Sequence, residues 1–508
     1  MVTVMKTTRQ IRIGAILSYV SMAVGYVVQI VYTPLMLRII GSNQYGVYNL
    51  TNSIVSYLSL FSLGFAPAYV RFFMRHKVRN DSEGVIKLNG LFMSAFLILG
   101  LLALLSGGIM VSNIGGLLGS KFSIAELKLA KILMILMVVN IGISFPLIPI
   151  VSFIQANERF IFQNGLNIVR QICSPFLSLP LLLAGYGAIG MTAATTAISI
   201  GISVCQFWYA VRVLHFKITF KNLEFDEFKE VSIFSSFIFL NAVTDQINWN
   251  ADKFIVGRYS GALAVAIYGI AAQLNSYYLG FSTAISNVFI PKINNIVADY
   301  GIDKNEKLNS IFVTVGKMQL IVVGLILTNI IVVGKEFIFF WAGKDYLAAY
   351  PLLLVMVIPV TIPLIQNTGI TIQQAMNKHI FRSIVYFLIA LLNIVASISL
   401  VGRIGSIGAA AATAGSLIIG NGFLMNWYYE KHIGLNVFKF WRKMSGPILT
   451  IIIVCPVGVL IKRFVNAYSF VGFVIVAVIT SLIYLVLIWI IGLTNHEREM
   501  LKSRYLHV

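Results

Sequence analysis

Apolar runs of roughly 20 residues, each about long enough to cross the ~30 Å hydrocarbon core of a bilayer as a helix, recur along the whole chain. They begin near residues 12, 45, 85, 129, 160, 187, 231, 262, 309, 349, 380, 404, 445 and 468. Within lipid no water can satisfy a backbone N–H or C=O, so runs of this kind fold as α-helices. The expected fold class is therefore an all-α integral membrane protein of about 14 transmembrane helices. Composition agrees: 58% of the 508 residues are hydrophobic and 11% are charged, and no connection is long enough for a soluble domain. The run after Lys6, Arg9 and Arg12 is too long for a signal-peptide core and no small-residue cleavage site follows it. The first helix is expected to be retained.

Lys and Arg number 38 against 18 Asp and Glu, a net charge of +20. In a soluble protein that excess would suggest nucleic acid, but here the positive-inside rule accounts for most of it. An even number of spans puts both ends on one side; the connections on that side hold 26 of the Lys and Arg, the opposite connections hold 11, and Arg170 lies within a span. Both termini are thus expected in the cytoplasm, with no nucleic-acid partner. The richest inner loops are Arg71 to Lys87 and Arg212 to Glu230, the second amphipathic enough to lie along a membrane surface. Cys173, Cys205 and Cys455 are odd in number and sit in apolar segments, so no disulfide framework is expected. The His residues are scattered without ligand spacing and no phosphate-binding loop occurs, so neither metal nor cofactor is expected and the chain reads as a non-enzyme.

Three sequence blocks recur at one offset. Arg38-Ile-Ile-Gly41 with Tyr48 matches Arg258-Tyr-Ser-Gly261 with Tyr268. Pro146-Leu-Ile and Gln155-Ala match Pro363-Leu-Ile and Gln374-Ala, and Gly187-Ala-Ile-Gly190 matches Gly405-Ser-Ile-Gly408, all about 220 residues on. Six spans per copy is an even number, so both copies enter the membrane from the same side as a parallel repeat. The expected domains are a six-helix lobe over 1–220, a second six-helix lobe over 221–435, and an added helix pair with a cytoplasmic tail over 436–508. Parallel repeats place a transport route between the lobes.

Ionisable and amide side chains inside the spans are the functional candidates, since a charge near the bilayer centre costs about 2.5–3.5 kcal/mol on insertion scales. Asn241, Asp245, Asn248 and Asp252 follow at steps of four, three and four, which on an unbroken α-helix gives one polar face. The fifth span carries Asn164, Asn167, Arg170 or Gln171, and Ser174 at helical spacing. Arg170 is too deep to snorkel, whereas Arg38 and Arg71 lie at span ends. A guanidinium suits phosphate or pyrophosphate because its fork offers paired donors. An internal ion pair of Arg170 with Asp245 or Asp252, and a core role for Asp245, are the structural alternatives. The tenth span adds Gln366, Asn367, Thr368, Thr371, Gln373 and Gln374, amides and hydroxyls that could meet sugar hydroxyls or join helices. The expected substrate-binding set is Arg170, Asn167, Asn241, Asn248, Gln366 and Gln374. Asp245, Asp252, Lys253, Arg38 and Arg71 are the expected coupling or gating set.

Gly14-Ala-Ile, Pro34-Leu-Met-Leu-Arg38, Tyr45-Gly46-Val-Tyr48, Leu63-Gly64-Phe-Ala, Asp252-Lys253-Phe-Ile-Val-Gly257 and Leu392-Asn393-Ile before Gly405-Ser-Ile-Gly408 together resemble the polysaccharide transporter family of the MATE-related (MOP) exporter superfamily. The resemblance covers nearly the whole chain. It implies a multi-pass flippase of the bacterial inner membrane, moving undecaprenyl-pyrophosphate-linked oligosaccharides such as O-antigen or capsule repeat units by alternating access. Partners implied are the lipid-linked oligosaccharide, the membrane, and polysaccharide polymerase or assembly proteins. A proton or sodium ion is the implied coupling cation where one is used. The alternatives are a cation-coupled, MATE-like multidrug exporter, for which twelve spans and an acidic cavity are usual, and an oligosaccharide polymerase, for which a large outer loop is expected.

Overall fold

The structure is a computed structural model that describes residues 2–62, 64–221, 225–299, 303–378, 380–495 and 497–499, with backbone alone at 2–12, 15, 225, 234, 237, 240 and 241. Every regular element among the described residues is helical. Ten helices there are long and apolar enough to cross a membrane, and the pair Ala349–Ile365 and Asn367–Ala375, bent by 41°, makes an eleventh. Three of the ten are too long for one crossing. Ile16–Val78 has 63 residues, Phe160–Arg212 has 53 and Ala242–Asn287 has 46, so at 1.5 Å per residue even the shortest would reach about 69 Å if straight.

Each of the three breaks at glycine with a left-handed backbone, a conformation that costs other residues about 1–2 kcal/mol. The breaks fall at Gly41 (φ 73°), at Gly185 and Gly187 (φ 87° and 54°), and at Gly261 (φ 82°). Close approaches across the breaks establish that the chain turns back. A Cβ on Gly257 would lie 3.1 Å from the Val265 side chain, and one on Gly190 would lie 3.0 Å from Leu181 Cβ. Tyr48 is an electrostatic neighbour of Tyr32, a pair that a straight helix would hold about 24 Å apart. Dividing the three helices brings the spans to fourteen, as the hydropathy reading expects. They are α1 (2–40), α2 (42–78), α3 (Ser82–Ser112), α4 (Ile124–Ala156), α5 (Phe160–Leu181), α6 (Gly187–Arg212) and α7 (225–260). Then follow α8 (262–287), α9 (Lys304–Trp341), α10 (Ala349–Ile365 with Asn367–Ala375), α11 (Ile380–Ile404), α12 (Ser406–Ile433), α13 (Val437–Phe464) and α14 (Phe470–Gly492).

Backbone irregularities recur with the sequence repeat. Gly41 and Gly261 break helices in the same conformation, and Gly187 and Gly405 both precede a helix with positive φ. The nine-residue helices Ile148–Ala156 and Asn367–Ala375 are equivalent, and each is followed by a non-glycine residue in the left-handed region, Glu158 (φ 58°) and Asn377 (φ 56°). All four correspondences lie about 219 residues apart.

Packing divides the chain into two compact units, Met1–Ala266 and Ile267–Val508. At one end of the first unit an aromatic core joins α2, α3, α4, the end of α6 and the start of α7, with Phe65, Tyr69, Phe92, Phe96 and Phe153 all buried. Its rings meet edge to face, as at Tyr69 and Phe92 (5.1 Å) and at Phe73 and Phe153 (5.5 Å). The Tyr69 hydroxyl donates to Asn89 Oδ1 at 2.5 Å and Asn89 donates in turn to the Lys217 carbonyl at 2.8 Å, so the one amide in this core is satisfied.

In the second unit α9 is the post against which α13 and α14 stand. Two ion pairs fasten them: Lys317 to Glu497 at 2.5 Å and Glu336 to Lys462 at 2.7 Å. Lys317 and Glu336 lie about 28 Å apart along α9, close to the ~30 Å hydrocarbon thickness, so the pairs sit toward opposite membrane boundaries. Between them Tyr484 donates to the Ile321 carbonyl (2.9 Å), Asn329 donates to Ser481 Oγ (3.0 Å), and Gly458 lets α13 close on Val332. Glu336 is 1% exposed. Lys462→Met, which leaves that carboxylate buried without its cation, is expected to destabilise the protein by about 3–5 kcal/mol. Thermal unfolding in detergent reads it, and Glu336→Leu added to Lys462→Met is expected to restore most of the loss; equal melting of wild type and Lys462→Met would disprove the clamp.

Candidate functional site

The two polar groups of α5 separate by face. Asn164 donates to the Gly14 carbonyl at 2.9 Å, Gln171 donates to Ser21 Oγ at 3.1 Å, and Ser178 shares a hydrogen bond of 2.7 Å with the Tyr32 hydroxyl. The positions are seven residues apart on α5 and seven, then eleven, apart on α1, both ascending, so α1 and α5 run parallel along one seam, and these three are joints between helices. Arg170 and Asn167 lie off that seam and are exposed. Arg170 has no hydrogen-bond or ion-pair partner among the described residues. Ten residues into α5, its Cα lies about 15 Å from the start of the span.

On α7 the four-residue polar face of the sequence is divided. A wider turn of π type occupies Ile247–Ala251, between the two aspartates. Its extra residue rotates everything beyond it by about 100° relative to an unbroken α-helix. Asp252 is consequently buried at 3% exposure, beside Tyr57, whereas Asp245 is uncovered and Asn248 is half-covered. Both aspartates take part in polar contacts, as do the uncovered Arg38 and Arg71. Lys253 is half-covered, and no acidic partner is found for it among the described residues. The Asn241 side chain lies outside the described residues.

The strongest organisation around α7 is one that the polar pattern does not reveal. α7 lies antiparallel on α2 along its length: His76 meets Glu227 (2.9 Å), Arg75 meets Glu230 (2.7 Å), Gln246 donates to Ser56 Oγ (2.5 Å) and Ser53 donates to the Asn250 carbonyl (2.8 Å). Beyond these, Leu50 packs against Gly257, and Gly46 is so close to Ala262 that a Cβ would lie 1.9 Å from its carbonyl oxygen. On the same stretch Arg258 donates to the carbonyls of Gly116 and Leu117, at 2.8 and 2.9 Å, in the short helix Ile114–Leu118. The signal for this seam is present in the sequence as small residues on α2 and α7, but which helices they join is a tertiary fact.

The amides of α10 belong to the second unit. Gln366, at the bend of the broken span, is 2% exposed and donates to Asn426 Oδ1 at 2.6 Å, while Asn367 donates to Ser286 Oγ at 2.9 Å. Gln319, also buried, donates to the carbonyl and hydroxyl of Ser282 at 3.0 and 3.1 Å. Gln374 is uncovered at the far end. Of the expected substrate-binding set, then, Gln366 is a buried joint, and Asn167, Arg170 and Gln374 are open. Gly46 offers a test of the seam: Gly46→Ala must push α2 away from Ala262, an overpacking that costs about 1–3 kcal/mol. Gly108→Ala, with nothing within 4 Å, is the control. A melting temperature lowered by several degrees in the first and unchanged in the second is the expected result; equal values would show that the helices do not approach this closely.

Residues 12–297 match the family described as polysaccharide biosynthesis protein. The membrane protein EpsK of Bacillus subtilis (strain 168) is 21% identical over 492 residues, covering 93% of this chain and 94% of that protein. A Shigella flexneri protein described as "Putative O-antigen transporter" is 22% identical over 402 residues, 78% of this chain and 91% of its own length. Among solved structures, the lipid II flippase MurJ in an inward closed conformation superposes with a TM-score of 0.73 at 21% identity, covering 94% of this chain and 98% of that one. The last likeness is one of fold. With the family matched over more than half of its length and the fold shared from end to end, this chain belongs to the polysaccharide biosynthesis protein family.

Proposed function

We propose that the chain exports undecaprenyl-pyrophosphate-linked oligosaccharide repeat units, such as those of O-antigen, capsule or a related polysaccharide, across the bacterial inner membrane by alternating access. Both termini are assigned to the cytoplasm on the charge bias of the connections. The observation that carries the reading is Arg170: an exposed guanidinium near mid-span, paired with no carboxylate among the described residues. A permanent cation there is stable only against water or an anion, and a diphosphate head group offers paired acceptors to its fork. For the substrate, the barrier is the transfer of a polar, anionic head through hydrocarbon. A wet, cationic path through the protein removes that barrier while the lipid tail stays in the bilayer.

Asn167, one turn from Arg170 and also open, supplies an amide for a neighbouring oxygen, and Gln374 one for a sugar hydroxyl. Outward movement of a head group of charge about −2 runs downhill in an inside-negative potential by roughly 2.3 kcal/mol per charge per 100 mV. Export along that gradient needs no coupling ion; a proton- or sodium-coupled cycle would run through Asp245 or Asp252. An exposed mid-span Arg170, together with the added α13 and α14, speaks against an exporter of cationic drugs.

Removal of one charge-assisted contact to phosphate costs about 1.5–3 kcal/mol, a tenfold loss of binding or more. Arg170→Ala is therefore expected to lower surface polysaccharide with the protein still in the membrane at matched amounts. Arg170→Lys is expected to recover part of it, since charge remains and the fork is lost. Export by Arg170→Ala at the wild-type rate would refute this mechanism.

A further inference from the structure

The two basic connections Arg71 to Lys87 and Arg212 to Glu230 do not merely flank the membrane; they meet. Between them lies a cavity of about 460 Å³ on the side of the first unit where α2 ends and α3 begins, within the range of small-molecule sites. Its polar side is formed by Lys77 at the end of α2, Asn80 after it, Ser82 at the start of α3, Asn157 after α4, and His215 and Lys217 after α6. Phe73 and Phe153, packed edge to face at 5.5 Å, form an apolar wall. Lys77 Nζ stands 5.5 Å from the Phe73 ring centroid. Asn80 and His215 have φ of 53° and 55°, the left-handed turns that bring the two connections round to the same space.

The charge balance of the cavity is positive. Asp81 is the acidic group in its lining, and its carboxylate is already engaged: Oδ1 accepts from the Gly84 amide at 2.8 Å and Oδ2 meets His76 Nδ1 at 2.8 Å. The other ring nitrogen of His76 meets Glu227, which keeps that second carboxylate occupied as well. Lys77 and Lys217 have no acidic partner and no side-chain hydrogen bond among the described residues. Two unpaired ammonium groups, amides from Asn80 and Asn157, and the Ser82 hydroxyl at the start of a 31-residue helix make a donor set for a multivalent oxyanion.

We infer that this cavity binds a phosphate group on that side of the first unit, held by Lys77 and Lys217, as a site separate from Arg170. The phosphate can belong to an anionic phospholipid whose glycerol and acyl portion lies along the phenylalanine wall, or to a soluble phosphate. The site does not depend on the flippase reading. It makes that side of the first unit sensitive to the anions around it.

Native mass spectrometry of the full-length protein tests it with two probes, phosphatidylglycerol against phosphatidylcholine in mixed micelles, and inorganic phosphate. The double variant Lys77→Gln/Lys217→Gln is expected to bind the active probe at least tenfold more weakly. Lys77→Arg/Lys217→Arg is expected to retain binding, which separates loss of charge from misfolding. Arg79→Gln/Lys221→Gln takes one cation from each connection outside the cavity lining and is expected to bind as wild type. Retention of phosphatidylglycerol alone identifies a lipid site, and binding of inorganic phosphate identifies a soluble one; either result supports the inference. It is overturned if wild type binds neither probe, if the lysine-to-glutamine variant binds as well as wild type, or if the Arg79/Lys221 variant weakens binding equally.

Discussion

The bilayer's refusal to solvate a peptide group is the constraint on which this structure depends. In hydrocarbon a helix is the one open-ended element that satisfies its own backbone, so the chain can change direction only where backbone can be bent without exposing donors for long. Its spans therefore reverse at glycines in a left-handed conformation, Gly41, Gly187 and Gly261 among them, with a single residue or a few doing what a loop does elsewhere. At the Gly185–Gly187 turn the Gln44 side chain accepts from the Ala188 amide at 3.1 Å, covering a donor that the reversal leaves open. Recurrence of these breaks at one offset ties the repeat to backbone mechanics as well as to residue identity.

A sequence repeat and a packing unit divide the chain differently, and the α2–α7 seam is the reason. The repeat begins its second copy near residue 221, yet residues up to Ala266 pack with the first unit. α7 has ion pairs to α2 at one end, hydroxyl and amide bonds midway and a glycine contact at the other. Such a seam holds one span of the second copy as part of the first unit. Its middle bonds are single hydrogen bonds, of the order of 0.6 kcal/mol each in membranes, and its end pairs are partly open to water. A contact built from many weak bonds can be remade in steps.

The spans were legible in the sequence because hydropathy carries them directly. The polar face of α7 was not, because period counting assumes a constant 3.6 residues per turn, and the π-type turn at Ile247–Ala251 adds a residue that no side chain announces. Likewise Asn164, Arg170 and Gln171 look equivalent by spacing and depth, and only the neighbouring helix shows that Asn164 and Gln171 are joints while Arg170 is open. Gln366 fails as an open ligand for the same reason, since its partner Asn426 lies 60 residues on. The basic connections were visible one at a time; that they enclose a cavity between Lys77 and Lys217 depends on the fold of the whole first unit.

What singles out Arg170 is how the chain treats its other membrane charges. Lys317, buried on α9, has Glu497, and Glu336, more deeply buried, has Lys462. Each of these charges is locked into a pair whose rupture would strand its partner, and each fastens a helix. Arg38 and Arg71 are uncovered at span ends, where a long side chain can reach the head groups. Arg170 has neither remedy: it is too deep to snorkel and has no described carboxylate to neutralise it. Lys253, also without an acidic partner among the described residues, is half-covered near the end of α7, which leaves Arg170 as the exposed guanidinium at mid-depth. The mobile anion proposed above would supply the partner that the described residues do not.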